Sequence, residues 1–164
     1  MDLGFATCAA VALVSTALAV SRKTAIHALL YLVVSFLAVA AVFWQLGAPL
    51  AAALELIVYA GAIVVLFVFV VMMLDIGTPA GEQERRALSP SAWLGPALLV
   101  AFLFAELIGE LVSASVPPAP GPIVDAHAVA VALYGPYLVV SELASMLLLA
   151  GLVGAFHLGH RRAS

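Results

Sequence analysis

LAAALELIVYAGAIVVLFVFVVMML, residues 50–74, decides what kind of molecule this is. Over 25 residues it carries a single carboxylate, Glu55, and it closes on an unbroken apolar run. A helix needs about 20 mainly apolar residues to cross the roughly 30 Å hydrocarbon core of a bilayer. The rest of the chain agrees with that reading. Of its 164 residues 66% are hydrophobic and 9% charged, and mean hydropathy is +1.24. An ordinary soluble domain is about half apolar and about a quarter charged. Nine acids and six bases cannot cover a water-soluble surface. Soluble enzymes, nucleic-acid binders and disordered chains are therefore excluded, and the partner the composition demands is the lipid bilayer. The fold class is an all-α integral membrane protein.

Working outward, four further stretches are long and apolar enough to span, giving crossings at 3–20, 27–46, 50–74, 92–112 and 136–157 of a single membrane domain, 1–164. Their separators are plain. Ser21-Arg22-Lys23-Thr24 is a short basic turn, Gly47-Ala48-Pro49 a tight neutral one, and residues 75–91 a polar loop. The SVPPAPGP stretch, 115–122, cannot be regular helix because its prolines lack the amide hydrogen. Residues 126–135 are too few to cross; they either begin the fifth span or lie along the outer surface, and Pro136 at a first helical position favours a separate surface helix. Arg22 and Lys23, Arg85 and Arg86, and Arg161 and Arg162 all fall on one side of such a five-span chain. The positive-inside rule makes that side cytoplasmic, with the N-terminus outside and the C-terminus inside. Cys8 is the lone cysteine, which excludes an internal disulfide and fits a small packing residue.

Ionisable groups within the spans each need a reason, since a charge at a helix centre costs about 2.5–3.5 kcal/mol on insertion scales. Glu55 and Tyr59 stand four residues apart and share a helix face. A phenol both donates and accepts, so the pair can hold a water or pass a proton. The same pair could equally be a buried polar lock against a neighbouring helix. As an ideal α-helix residues 50–74 would be about 36 Å long, more than the core requires. Tilt absorbs such an excess, and so does a π-bulge, for which Ala60-Gly61-Ala62 is the weak point. On residues alone, Gly61 as a site of close helix contact is the simpler reading. Glu142 sits among Ser141, Ala144, Ser145, Gly151 and Gly154, a small-residue face whose acid is expected to meet another subunit. Glu106 and Glu110 lie near an outer end, where contact with interfacial water is expected. His27, His157 and His160 read as interfacial side chains rather than metal ligands. No nucleotide, cluster or metalloprotease motif occurs.

Several of these segments resemble one family. HALLYLVVS (27–35), LELIVYAGAIVVLFVFVVMML (54–74), YGPY (134–137) and ELASMLLLAGLVGAFH (142–157) are similar to the subunit J family of bacterial NADH:quinone oxidoreductase, respiratory complex I, whose mitochondrial counterpart is chain six. The resemblance covers nearly the whole chain, and VYAGAI followed by LF and FVVM is its most specific part. Two positions depart from it: Thr24-Ala25 stands where Asn-Pro is frequent, and Asp75 where Asn is common.

The resemblance implies a multi-pass subunit of the bacterial inner membrane, partnered by other membrane-arm subunits of complex I. It implies no catalytic site or cofactor in this chain, with FMN, iron–sulfur clusters and quinone held by other subunits of the proton-translocating enzyme. It also implies a π-bulge in the third helix that forms and disappears. Ala60, Gly61, Ala62 and Val65 would then form a helix gate, and Glu55, Tyr59 and Glu142 would border a water or proton path. Two alternatives stay open: an assembly scaffold of the membrane arm, and an accessory chain of a cation/proton antiporter complex.

Overall fold

Breaks in the apolar pattern become the turns of the fold. The computed structural model describes residues 3–73, 90–112 and 123–160, and among these every regular element is a helix. They are α1 (Leu3–Ser21), α2 (Ala25–Gln45), α3 (Pro49–Met73), α4 (Pro90–Val112), α5 (Ala126–Tyr134) and α6 (Leu138–His160). The helices α1, α2, α3 and α6 are long and apolar enough to cross a bilayer, while the apolar part of α4, Trp93–Gly109, is shorter. Arg85, Arg86, Arg161, Arg162, Asp75 and the proline-rich 115–122 lie outside the described residues, as do the side chains of Glu110 and His160.

Two helix starts differ from the sequence reading. α2 begins at Ala25, with Thr24 in the cap position. The Thr24 hydroxyl pairs with His27 Nδ1 at 2.7 Å, so it serves the imidazole and leaves the first amides uncapped. Pro136 does not open α6, which starts at Leu138. The reason is in the backbone: the Tyr137 N–H donates back to Ala132 O (3.0 Å) and Leu138 N–H to Gly135 O (3.2 Å), closing a turn around Pro136. The α6 ladder then begins with Ser141 N–H to Tyr137 O at 3.0 Å.

The chain divides into two compact units, Met1–Ile123 with α1–α4 and Val124–Ser164 with α5 and α6. In the second unit, Asp125 caps α5 by accepting from the Ala128 N–H at 2.8 Å. The core of the first unit lies where α1, α2 and α4 meet. Cys8, Val11, Val34, Ala38, Ala41 and Leu103 form one buried cluster. Its small members fit helix association in lipid, which relies on close packing because the solvent itself is apolar. Hydroxyls supply the rest of the seam. Ser15 Oγ donates to Val11 O (2.6 Å), Thr16 Oγ1 pairs with Ser35 Oγ (2.7 Å), and Ser35 Oγ reaches Ala12 O of α1 (3.3 Å).

Both ends of this seam are tied. At one end the Arg22 guanidinium donates to the Tyr31 hydroxyl (3.2 Å) and lies 4.8 Å from the centre of its ring. Tyr31 is buried, and a Cβ at residue 95 would collide with its hydroxyl, so any larger residue there requires the Tyr31 ring to move. At the other end Thr7 Oγ1 donates to Glu106 Oε1 at 3.1 Å, and Gln45 Nε2 lies 3.7 Å from Cys8 Sγ. Glu106 is thus half-buried and bonded to α1, in place of the purely solvated group expected from its position. These contacts run α1 antiparallel to both α2 and α4. They also put the α1–α2 turn and the start of α4 at the same end.

Candidate functional site

The chain enters α3 through a tight reversal. Gly47 takes φ 75 after α2, the left-handed conformation that glycine adopts without steric cost. The Ala48 N–H then reaches Phe43 O and the Gly47 N–H reaches Trp44 O, each at 3.0 Å. That bond pair is a Schellman ending, and it satisfies carbonyls a helix terminus leaves open. Pro49 follows at the head of α3, where its missing amide hydrogen costs nothing. α3 is thereby returned alongside α2.

α3 is not wound uniformly. Pro49–Leu54 is α-helical, Glu55–Ile63 is π-helical over nine residues, and Val64–Met73 is α-helical again. The change is visible in the bonds. At the entry the Glu55 N–H reaches Ala51 O, four residues back, and at the exit the Val64 N–H reaches Tyr59 O, five back. The boundary dihedrals are ordinary: φ −57, ψ −45 at Glu55 and φ −66, ψ −40 at Val64. Both lie close to ideal α values, so the π segment joins its α-helical flanks without a break in the helix.

Packing against α2 explains why the extra residue is accommodated. Ala52 and Val64 are the buried residues of α3, one on each side of the π segment. Twelve positions of pure α-helix would set them about 120° apart around the axis. Absorbing one residue in a π turn brings that angle down to about 20°. Both can then seat on the same neighbour. Between these seats no residue of the π segment is fully buried.

Glu55 opens the π segment and is half-buried; Tyr59 is 47% exposed. Four residues make close to one full turn in either winding, so carboxyl and phenol keep to one side of α3. The Tyr59 ring rests against Phe36 of α2, centroids 5.5 Å apart and planes inclined at 56°. Ala60 and Gly61 are half-buried, Ala62 and Val65 exposed. A Cβ added at Gly61 would lie 3.2 Å from Leu56 O of the same helix, and among the described residues it would meet nothing else within 4 Å. Leu56 is five positions earlier, so what presses on residue 61 is the π winding itself. Among the described residues no neighbouring helix comes within 4 Å of that position, so a close helix contact at Gly61 would involve a surface outside them.

Glu142 belongs to the second unit, on an exposed face of α6. Ser145 does not serve its carboxyl, because Ser145 Oγ donates to the Glu142 backbone carbonyl at 2.7 Å. A Cβ at Gly151 or Gly154 would meet nothing within 4 Å among the described residues.

Three contacts around these helices escape a reading of the sequence. Thr7–Glu106 was legible in principle, since both residues fall at the same depth once the alternation of spans is drawn. Gly95 beneath Tyr31 and Phe36 beside Tyr59 carry no such signal, because an aromatic in an apolar helix is most often plain core.

The chain resembles known proteins over nearly its whole length. Residues 15–158 match the family model described as NADH-ubiquinone/plastoquinone oxidoreductase chain 6. The chain is 52% identical to NADH-quinone oxidoreductase subunit J of Pseudomonas aeruginosa, over 99% of each protein. With subunit J of Escherichia coli K12 the identity is 48%, covering 97% of this chain and 86% of that protein. The Rhodobacter capsulatus subunit J is more distant at 36%, over 90% of this chain and 75% of that protein.

Proposed function

The chain belongs to the NADH-ubiquinone/plastoquinone oxidoreductase chain 6 family, and from that premise we propose that it is a non-redox membrane subunit of proton-translocating NADH:quinone oxidoreductase in which α3 gates a water or proton path. The carrying observation is the π-wound segment Glu55–Ile63, which starts at the carboxyl and includes the phenol. FMN, iron–sulfur clusters and quinone are assigned to other subunits of the complex, consistent with the lack of their binding motifs in this sequence.

Five crossings of the bacterial inner membrane are proposed: α1, α2, α3, α4 and α6. α5 would lie along the outer surface. The N-terminus is placed outside and the C-terminus in the cytoplasm. Tying of the α1–α2 turn to the start of α4 supports this, since Arg22 and Lys23 then share an end with the start of the helix that Arg85 and Arg86 shortly precede in the sequence. The remaining membrane-arm subunits would cover the exposed faces of α3 and α6, with Glu142 and the glycines of α6 facing such a partner.

The gate works through register. In the π state one residue is absorbed between Ala52 and Val64. Return to α winding turns the two flanks by about 100° relative to each other. Tyr59 and Val65 are carried round with that rotation, which changes what lines the path. A π turn also shifts backbone bonding by one residue, and ordered water can satisfy the carbonyl so released. A proton handed to such a water passes to the Tyr59 oxygen as that hydroxyl releases its own proton onward, leaving the phenol unchanged. Glu55 at the head of the segment can accept or return the proton.

A Gly61→Val variant tests this reading in the assembled complex. The added side chain presses on Leu56 O, so the π state should be disfavoured. Protons moved per NADH oxidised should fall while the complex purifies with its full set of subunits. A complete complex pumping at the wild-type ratio would leave α3 as a scaffold.

A further inference from the structure

We propose that Phe36 of α2 is a positioning residue for Tyr59, a latch that selects the π-wound state of α3. The proposal rests on the reading of α3 as a switch and names the contact that sets its resting state.

Phe36 is presented from a fixed platform. Its neighbour Ser35 is buried and bonded to Thr16, and Val34 belongs to the core cluster. One residue on, and so about 100° round the helix, Phe36 is directed away from that seam and meets Tyr59. Tyr59, by contrast, sits in a segment without a single buried residue. The pair therefore joins the well-packed side of the unit to a helical stretch with no buried residue.

The geometry of the pair is specific to one winding. Offset or tilted aromatic pairs are favourable with centroids about 4.5–7 Å apart, and this one lies at 5.5 Å. If the segment rewinds to α, Tyr59 turns with it about the helix axis. A ring at the end of so long a side chain sweeps several ångströms and leaves that range. The contact is then lost in one state and kept in the other, which is the condition for biasing an equilibrium. The seats at Ala52 and Val64 favour the π register from the ends of the segment, and Phe36 favours it from the middle. The contact uses the ring and not the hydroxyl, so latch and proton relay are separable by mutation.

The test images the intact complex during NADH turnover by electron cryo-microscopy and counts particles with α3 in each winding. With Phe36→Leu the ratio of π to α should fall by about two- to tenfold, the range that an aromatic pair accounts for. Phe36→Tyr should restore it, and Tyr59→Phe, which keeps the ring, should leave it unchanged. Adding Tyr59→Leu to Phe36→Leu should produce no further shift, because the contact is already gone. Phe36→Met serves as the second non-aromatic variant if the leucine form does not assemble. Should wild-type particles populate both windings in a ratio that neither non-aromatic variant alters, the latch is wrong and the switch stands. Should wild-type particles show one winding throughout turnover, the switch fails and the latch falls with it.

Discussion

The seam between α1 and α2 and the π segment of α3 are made from nearly the same apolar alphabet, yet they are built for different ends. The seam buries four residues of α1 and six of α2, and hydroxyls cross it from Thr16 to Ser35. The nine residues of the π segment bury none. In the seam, backbone bonds are conventional and side chains fill the space. In α3 the backbone itself takes up a change of register, with buried residues only at Ala52 and Val64 on either side of it. A face packed to organic-crystal density resists small displacements. A sparsely buried helical stretch has fewer packing contacts to lose when it rearranges. On the proposed reading, the contrast is between a support and a moving part.

The sharpest way to break that contrast is Tyr59→Phe. It keeps the ring on Phe36 and removes the hydroxyl. Positioned proton-transfer groups typically contribute about 10²–10⁴-fold, so proton pumping should fall at least tenfold while particle images keep the same α3 winding. Equal pumping would reduce Tyr59 to a packing residue. On the support side, Gly95→Val drives a side chain into the Tyr31 hydroxyl. Overpacking of this kind costs about 1–3 kcal/mol. The yield of assembled complex should drop, while complexes that do form pump normally per NADH.

Smaller effects follow at the ties of the seam. Thr7→Val removes the hydroxyl that donates to Glu106 and should lower the thermal midpoint of the complex. Ser35→Ala removes the hydroxyl paired with Thr16, and interhelical hydrogen bonds in membranes average only about 0.6 kcal/mol. Its signature should be a slight loss of detergent resistance with no change in proton stoichiometry. If Ser35→Ala altered the stoichiometry instead, the seam would be part of the mechanism and the contrast would dissolve.

Most of the fold was legible because bilayer thickness ties length and hydropathy to helix. Residues 3–20 and 27–46 needed only small boundary changes, and Cys8 proved to be buried packing. Helix starts were less legible at Thr24 and Pro136, where a side chain or a turn takes the bond that a simple cap would have used. The π segment illustrates a deeper limit. From residues alone Gly61 reads first as a contact point, and only the resemblance to a family favours the bulge. Winding depends on whether Ala52 and Val64 can seat together on α2, a long-range requirement with no local signature. Phe36 is hidden for the same reason, since nothing in an apolar run tells which aromatic meets which.

The most direct measurement of the central claim is a high-resolution cryo-microscopy comparison of the wild-type complex at rest and during NADH oxidation, with waters resolved around α3. The account predicts two populations of residues 55–63, one π-wound and one α-wound, with waters beside Glu55 and Tyr59 in only one of them. A segment wound identically and dry in both conditions would contradict it.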